Sequence, residues 1–131
     1  MKKIILSLYL LLTMLAGSCK KDKPLTLEQK ILGKWTWVSS EVFQIPAAPS
    51  DETTNHPAGS YWEFKADKSL TVGVTGNPTS NYTWFEVDNN SFTVDNDLYI
   101  ITIPTPKQLV VQTEIKANGV SYISKFTLSK P

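Results

Sequence analysis

The 131-residue chain contains no arginine: its thirteen basic residues are all lysine, set against twelve acids, for a formal net charge of +1. Without a basic surplus, or guanidinium forks to grip phosphate or guanine, a nucleic-acid partner is not expected, and no long-range field steers an anionic partner. There is one cysteine, Cys19, so no internal disulfide can form and stability must come from buried side chains. The one histidine, His56, stands between Asn55 and Pro57 with no other histidine or cysteine near it, which is poor material for a metal site. No metal and no cofactor are expected. Gly-x-Ser-x-Gly elbows, phosphate loops and His-Glu-x-x-His are absent too. The carboxylate pairs Asp95 with Asp97 and Glu86 with Asp88 fall at turns and read as solvated, so the chain is not read as an enzyme.

The N-terminus holds an address. Met1-Lys2-Lys3 precedes an uncharged, largely apolar run to Leu15, which meets Ala16-Gly17-Ser18-Cys19 and stops at Lys20-Lys21-Asp22-Lys23. A basic start, an apolar stretch and small residues before a cut are the parts of a secretory signal. The run falls short of the roughly 20 apolar residues that a spanning helix needs. Ala16-Gly17-Ser18-Cys19 resembles the lipobox of bacterial lipoproteins, where the signal is cut before a cysteine carrying diacylglycerol; Leu15 stands one position further back than the usual leucine. The resemblance implies a signal peptide over residues 1–18, lipidation of Cys19 and a short tether over residues 19–25. The Ser18-Cys19-Lys20-Lys21-Asp22 junction is similar to lipoproteins of the Bacteroidota, some of which reach the cell surface through an acidic run after the cysteine. This chain lacks that run, so the expected location is the outer membrane with its periplasmic face favoured over the surface.

Cleavage would leave about 110 residues, the size of one domain with one core. Residues 24–32 predict a short helix: Thr26 can cap it, Leu27, Ile31 and Leu32 have helical spacing, and Gly33 can end it. Everything beyond reads as strands, at residues 34–42, 60–66, 69–75, 81–87, 91–94, 98–103, 108–116 and 120–129, separated by Gly, Pro, Asn and Asp turns. Eight strands in hairpin order predict an all-β, antiparallel up-and-down barrel, with a sandwich of the same strand order as the alternative. Alternation points Trp35, Trp37, Trp62, Phe64, Leu70, Val72, Phe92, Val94, Tyr99, Ile101, Ile103, Leu109, Val111, Thr113, Tyr122, Phe126 and Leu128 inward. In residues 81–87 the parity fails, because Tyr82 and Trp84 compete with Phe85 and Val87. A bulge is expected to reconcile them.

Leu32-Gly33-Lys34-Trp35 resembles the opening signature of lipocalins, a glycine and one residue before a tryptophan on the first strand. The run from Tyr61 through Glu63, Phe64 and Asp67 to Leu70 is similar to the second hairpin of bacterial lipocalin-like domains, and Phe126-Thr127-Leu128 to their closing strand. The resemblance implies one lipocalin-like domain over residues 26–131. It makes Gly33 and Trp35 structural, with Trp35 packed across the closed end beneath the N-terminal segment. The family arginine that covers this tryptophan is missing, so Lys125 or Lys130 is expected to cover it. The long first loop, from residue 43 to residue 59, then rims the open end, and in lipocalins that loop covers the ligand mouth. Phe43 and Ile45 on it, with Trp37, Trp62, Trp84 and Tyr122 below, are the candidate ligand-binding residues. The expected activity is binding of a small apolar or amphipathic ligand by a membrane-anchored monomer. The alternative is a filled barrel acting as an interaction module, inhibitor or assembly partner of another envelope protein.

Overall fold

The computed structural model describes residues 22–46 and 52–131. The signal segment, Cys19 and residues 47–51 of the long loop lie outside them. One short helix, α1 (Leu27–Ile31), precedes nine strand segments: β1 (Gly33–Ile45), β2 (Glu52–Asn55), β3 (Tyr61–Phe64), β4 (Ser69–Gly73), β5 (Ser80–Asp88), β6 (Ser91–Val94), β7 (Asp97–Pro104), β8 (Gln108–Ala117) and β9 (Val120–Ser129).

All pairings are antiparallel, each strand from β3 onward lies beside the next, and β9 returns to β1 over Thr36↔Ser129 to Ile45↔Ser121. That last ladder closes the sheet into an eight-stranded up-and-down barrel, as alternation and turn spacing predict. Nine segments make eight staves because β2 and β3 share one. Along the edge of β1 opposite β9, β3 pairs with Gly33 to Thr36 and β2 with Ser39 to Val42. The segment from His56 to Ser60 loops out between them, pinned where His56 N donates to Val38 O and Trp37 N to Ser60 O, both at 2.9 Å.

β2 corrects the expectation of a structureless first loop, and β1 runs on to Ile45. All four β2 residues are exposed, so no apolar alternation marks them. Their pairing meets the demand of the β1 backbone, whose outer half has no other partner on that edge.

α1 forms where its caps are. Thr26 Oγ1 accepts from Gln29 N at 3.3 Å, and Gln29 Oε1 accepts from Thr26 N at 2.9 Å, a reciprocal capping box. Leu27 and Ile31, one turn apart, are wholly buried against Trp35 and its neighbours. Gly33, at φ +110°, then turns the chain from helix into β1, and a Cβ there would stand 3.0 Å from Lys130 Nζ. The helix therefore plugs one end of the barrel. Above it lies a continuous core of Trp35, Phe64, Leu70, Trp84, Phe92, Ile101, Leu109, Val111 and Leu128.

Bulges adjust the faces. The one between Glu86 and Asp88 does not bring Phe85 or Val87 inside: Tyr82 and Trp84 face inward, while Phe85 is 61% exposed. A second, between Ile101 and Ile103, pairs Ile103 with Val110 and turns it to the outer wall, against its predicted inward position. Tyr122 keeps inward parity with Phe126 and Leu128, yet it is 41% exposed because β9 runs on past the mouth there.

Candidate functional site

The two ends of the barrel differ. At the closed end, polar ties hold the plug. Trp35 Nε1 donates to Ile31 O at 2.7 Å, Lys30 Nζ donates to Asn89 O at 2.6 Å and Asn90 Oδ1 at 2.7 Å, and Lys68 pairs with Glu28. Lys130 Nζ stands 4.0 Å over the Trp35 ring and donates to Leu32 O at 2.9 Å; burial holds its pKa below the usual lysine range. Of the two lysines expected to cover this indole, Lys130 does so, and Lys125 instead pairs across strands with Glu41 at 2.8 Å. Gly33 turns the chain into β1, and Trp35 is buried beneath α1.

At the open end the interior is not filled. A cavity of about 190 Å³ lies among Trp37, Trp62, Leu70, Val72, Tyr82, Val94, Tyr99 and Phe126. The rings touch one another around it: Trp62 is 5.1 Å from Phe126, 5.6 Å from Trp37 and 6.2 Å from Tyr99, centroid to centroid. Phe92 stacks on Tyr99 at 5.5 Å, behind the lining residues. No charged side chain lines the cavity. Burial first, then the nearby Asp97, Tyr82 and Asp95, push the Tyr99 phenol above its ordinary pKa.

His56 packs against the lining residue Trp37. Its ring stacks on Trp37 at 3.7 Å, and Nε2 lies 2.7 Å from Ser40 Oγ. Burial lowers its pKa, which favours the neutral ring. The loop that carries it is tied to the β4–β5 turn: Thr75 Oγ1 donates to Ala58 O at 2.7 Å and Thr75 N to Ser60 Oγ at 3.3 Å.

Of the residues singled out from the sequence, the fold brings Trp37 and Trp62 together on the cavity. Trp84 lies in the closed-end core, T-shaped to Phe64 and under Lys68 Nζ at 4.1 Å. Phe43, Ile45 and Tyr122 are not among the lining residues: Phe43 pairs beside Ile123 on the outward face, Ile45 is 56% exposed, and Tyr122 stands beyond the rim. Tyr82, Tyr99, Phe126, Val72, Val94 and Leu70 complete the wall, and His56 stacks on Trp37 without being among the lining residues. Alternation marked most of these as inward. Their height along the barrel, which decides whether they meet core or cavity, is a matter of register.

Two other recesses are open to solvent. One, of about 460 Å³, runs outside β5 past Asn81, Thr83, Phe85 and Asp95, and shares Tyr82 with the inner cavity. It exists because β6 pairs with β5 only from Trp84 onward and leaves residues 80–83 without a neighbour on that edge. The other, of about 260 Å³, lies beside α1 and Pro104 to Pro106. Among the described residues, no group of three or more His, Cys, Asp or Glu side chains is placed to hold a metal ion.

Comparison with protein-family models and with curated proteins finds no match for this chain. The fold class, an antiparallel up-and-down barrel plugged by a helix at one end and hollow at the other, therefore stands on the structure alone.

Proposed function

We propose that this protein is a lipocalin-like lipoprotein of the bacterial envelope that holds a small apolar or amphipathic ligand at the open end of its barrel. The carrying observation is the cavity of about 190 Å³, walled by aromatic rings at the end remote from α1. An apolar cavity of about 150 Å³ is enough to hold benzene. Whole drug-sized ligands occupy roughly 300–1,000 Å³, so the fitting ligand is a single ring or the end of a short chain.

The chain enters the barrel at the plugged end. Lipid on Cys19, after removal of residues 1–18, would tether the protein there through a leash of a few residues and aim the mouth away from the membrane. Two or three acyl chains, at about 0.8 kcal/mol per buried methylene, make such an anchor firm. The outer membrane, periplasmic face, is the location this reading favours.

A second reading is supported by the outer wall. Phe85, Thr93 and Leu98 lie side by side in register across β5, β6 and β7, with Ile100 two residues on, and Phe85, Leu98 and Ile100 are exposed. An apolar row of this kind suits a protein partner in the envelope.

Native mass spectrometry of protein purified from its own cells tests both. A copurifying mass of roughly one aromatic ring supports the carrier, while a stoichiometric protein with no small molecule favours the second reading. For the anchor, Cys19→Ala should move the protein to the soluble fraction; retention in the membrane with the signal segment intact would show the N-terminus to be misread.

A further inference from the structure

The barrel wall is notched at its open end. Asp95 and Asn96, both left-handed at φ 49° and 71°, turn β6 into β7 as a two-residue hairpin closed by Val94↔Asp97. β6 therefore leaves β5 at Trp84↔Val94, while β5 itself begins at Ser80. Trp84 N donates to Lys68 O at 2.9 Å, on the β4 side. Backbone groups alternate between the two edges of a strand, so Tyr82 also serves β4, and Asn81 and Thr83 direct their N–H and C=O groups to the open side. Among the described residues those groups have no partner. Asn81 Oδ1 accepts from Thr71 Oγ1 at 3.0 Å, which holds that side chain over β4 and off the open edge. The recess of about 460 Å³ lies along this edge.

Free strand edges are commonly blunted by charge. β8 also outruns its neighbour, since β7 meets it only from Tyr99↔Thr113, and its stretch beyond carries Glu114 and Lys116, 3.9 Å apart. The β5 stretch, Ser80-Asn81-Tyr82-Thr83, carries no charge. The recess beside it has one charged lining residue, Asp95, which has no ion pair among the described residues. A basic partner suits such a place. A second copy of this chain does not, because two joined edges would put two Asp95 carboxylates and no lining cation at one interface.

We propose that residues 80–83 of β5 are a docking edge for an extended, basic segment of a partner protein, which adds as an antiparallel strand beyond the end of β6. Strand addition takes its affinity from main-chain bonds and its specificity from alternate side chains. Residues of the segment opposite Asn81 and Thr83 exchange bonds with them and point their side chains outward, on the face that Phe85 and Thr93 share with the recess. The residue between, opposite Tyr82, faces the barrel interior as Tyr82 does, so an apolar side chain suits it. This rests on the partner reading above, names what the partner presents, and does not depend on what the cavity holds.

The probe is the peptide Ac-Thr-Lys-Phe-Lys-Thr-NH2, titrated into the ¹⁵N-labelled full chain in phosphatidylcholine nanodiscs. Before addition, the amides of Asn81 and Thr83 should exchange quickly with solvent and that of Tyr82 slowly. The peptide should move the first two downfield and slow their exchange. N-methylation of both its lysines removes the edge-facing donors and should abolish binding, and glutamate in place of both should weaken it at least about threefold. Thr83→Pro removes an edge donor that β4 does not use, and should weaken binding at least about tenfold with the urea midpoint little changed. Asp95→Asn suits the left-handed turn and should weaken the basic peptide about threefold. Unmoved Asn81 and Thr83 amides at millimolar peptide, or equal binding of the N-methylated peptide, would overturn the proposal and leave the partner reading to the apolar row on the outer wall. Protection of both amides before any peptide is added, rising with protein concentration, would assign the edge to a second copy instead.

Discussion

Two tryptophans, two residues apart on β1, meet opposite fates. Trp35 is buried at the plugged end, its N–H bonded to the last carbonyl of α1 and its face covered by Lys130. Trp37 is half-buried at the other end, its N–H unpaired, with His56 on one face. The strand and the residue type are the same, so the difference comes from what the rest of the chain brings to each end. α1 supplies two buried aliphatic side chains, a backbone acceptor and polar ties. β2, which pairs with β1 just beyond Trp37, supplies four exposed residues that fill nothing. One end is packed as a core and the other is left with a cavity.

The comparison is broken most directly by truncating both indoles. Trp35→Ala should lose about 3–5 kcal/mol of stability in urea unfolding, the range for emptying a packed aromatic site. Trp37→Ala should lose distinctly less, because its surroundings already hold free volume. Equal losses would mean that the open end is packed as tightly as the closed one. Lys130→Met removes a cation–π contact and a hydrogen bond at a partly exposed site, and should cost about 1 kcal/mol without changing ligand affinity. Val72→Phe works the other way: it fills the cavity, so the affinity of a ring-sized apolar probe such as ethylbenzene should fall at least about tenfold while stability shifts by roughly 1 kcal/mol or less.

The smallest expected effect is on pH dependence. Because burial lowers the folded pKa of His56 below 6.5, its neutral ring contributes stability that is complete above about pH 6.5. That contribution is lost as pH falls from there through the folded pKa. Urea midpoints should therefore drop slightly on acidification, and the histidine-dependent part of the drop should vanish in His56→Ala. An unchanged acid slope in that variant would show that the stacked ring is not the titrating group.

Much of the barrel is legible from local chemistry. The Thr26 cap, the turn residues and the period-2 alternation place α1 and eight of the nine strand segments within about three residues of their observed ends, because those signals act between near neighbours. β2 escapes because a strand exposed on both faces has no hydrophobic pattern, and only the unpaired backbone of β1 calls it into being. Phe85 and Val87 mislead for the complementary reason: they are apolar residues on an outer wall, where alternation takes hydrophobicity for burial.

The division at the candidate site follows from the same physics. Parity marks Trp37 and Trp62 alike as inward and leaves Trp84 in competition with Phe85 and Val87, since each side chain's face is read only from its own strand. Which of them meets a cavity depends on register across several strands and on where α1 is inserted. Phe64, itself backed by Phe92, packs Trp84 into the plugged half, while Phe126 and Tyr99 meet Trp62 around the open space. The sequence by itself determined an antiparallel barrel with one capped helix and an aromatic interior. The tertiary structure alone decided that the interior is full at one end and hollow at the other, because a void belongs to the packing of eight staves and a plug and has no local signature in any of them.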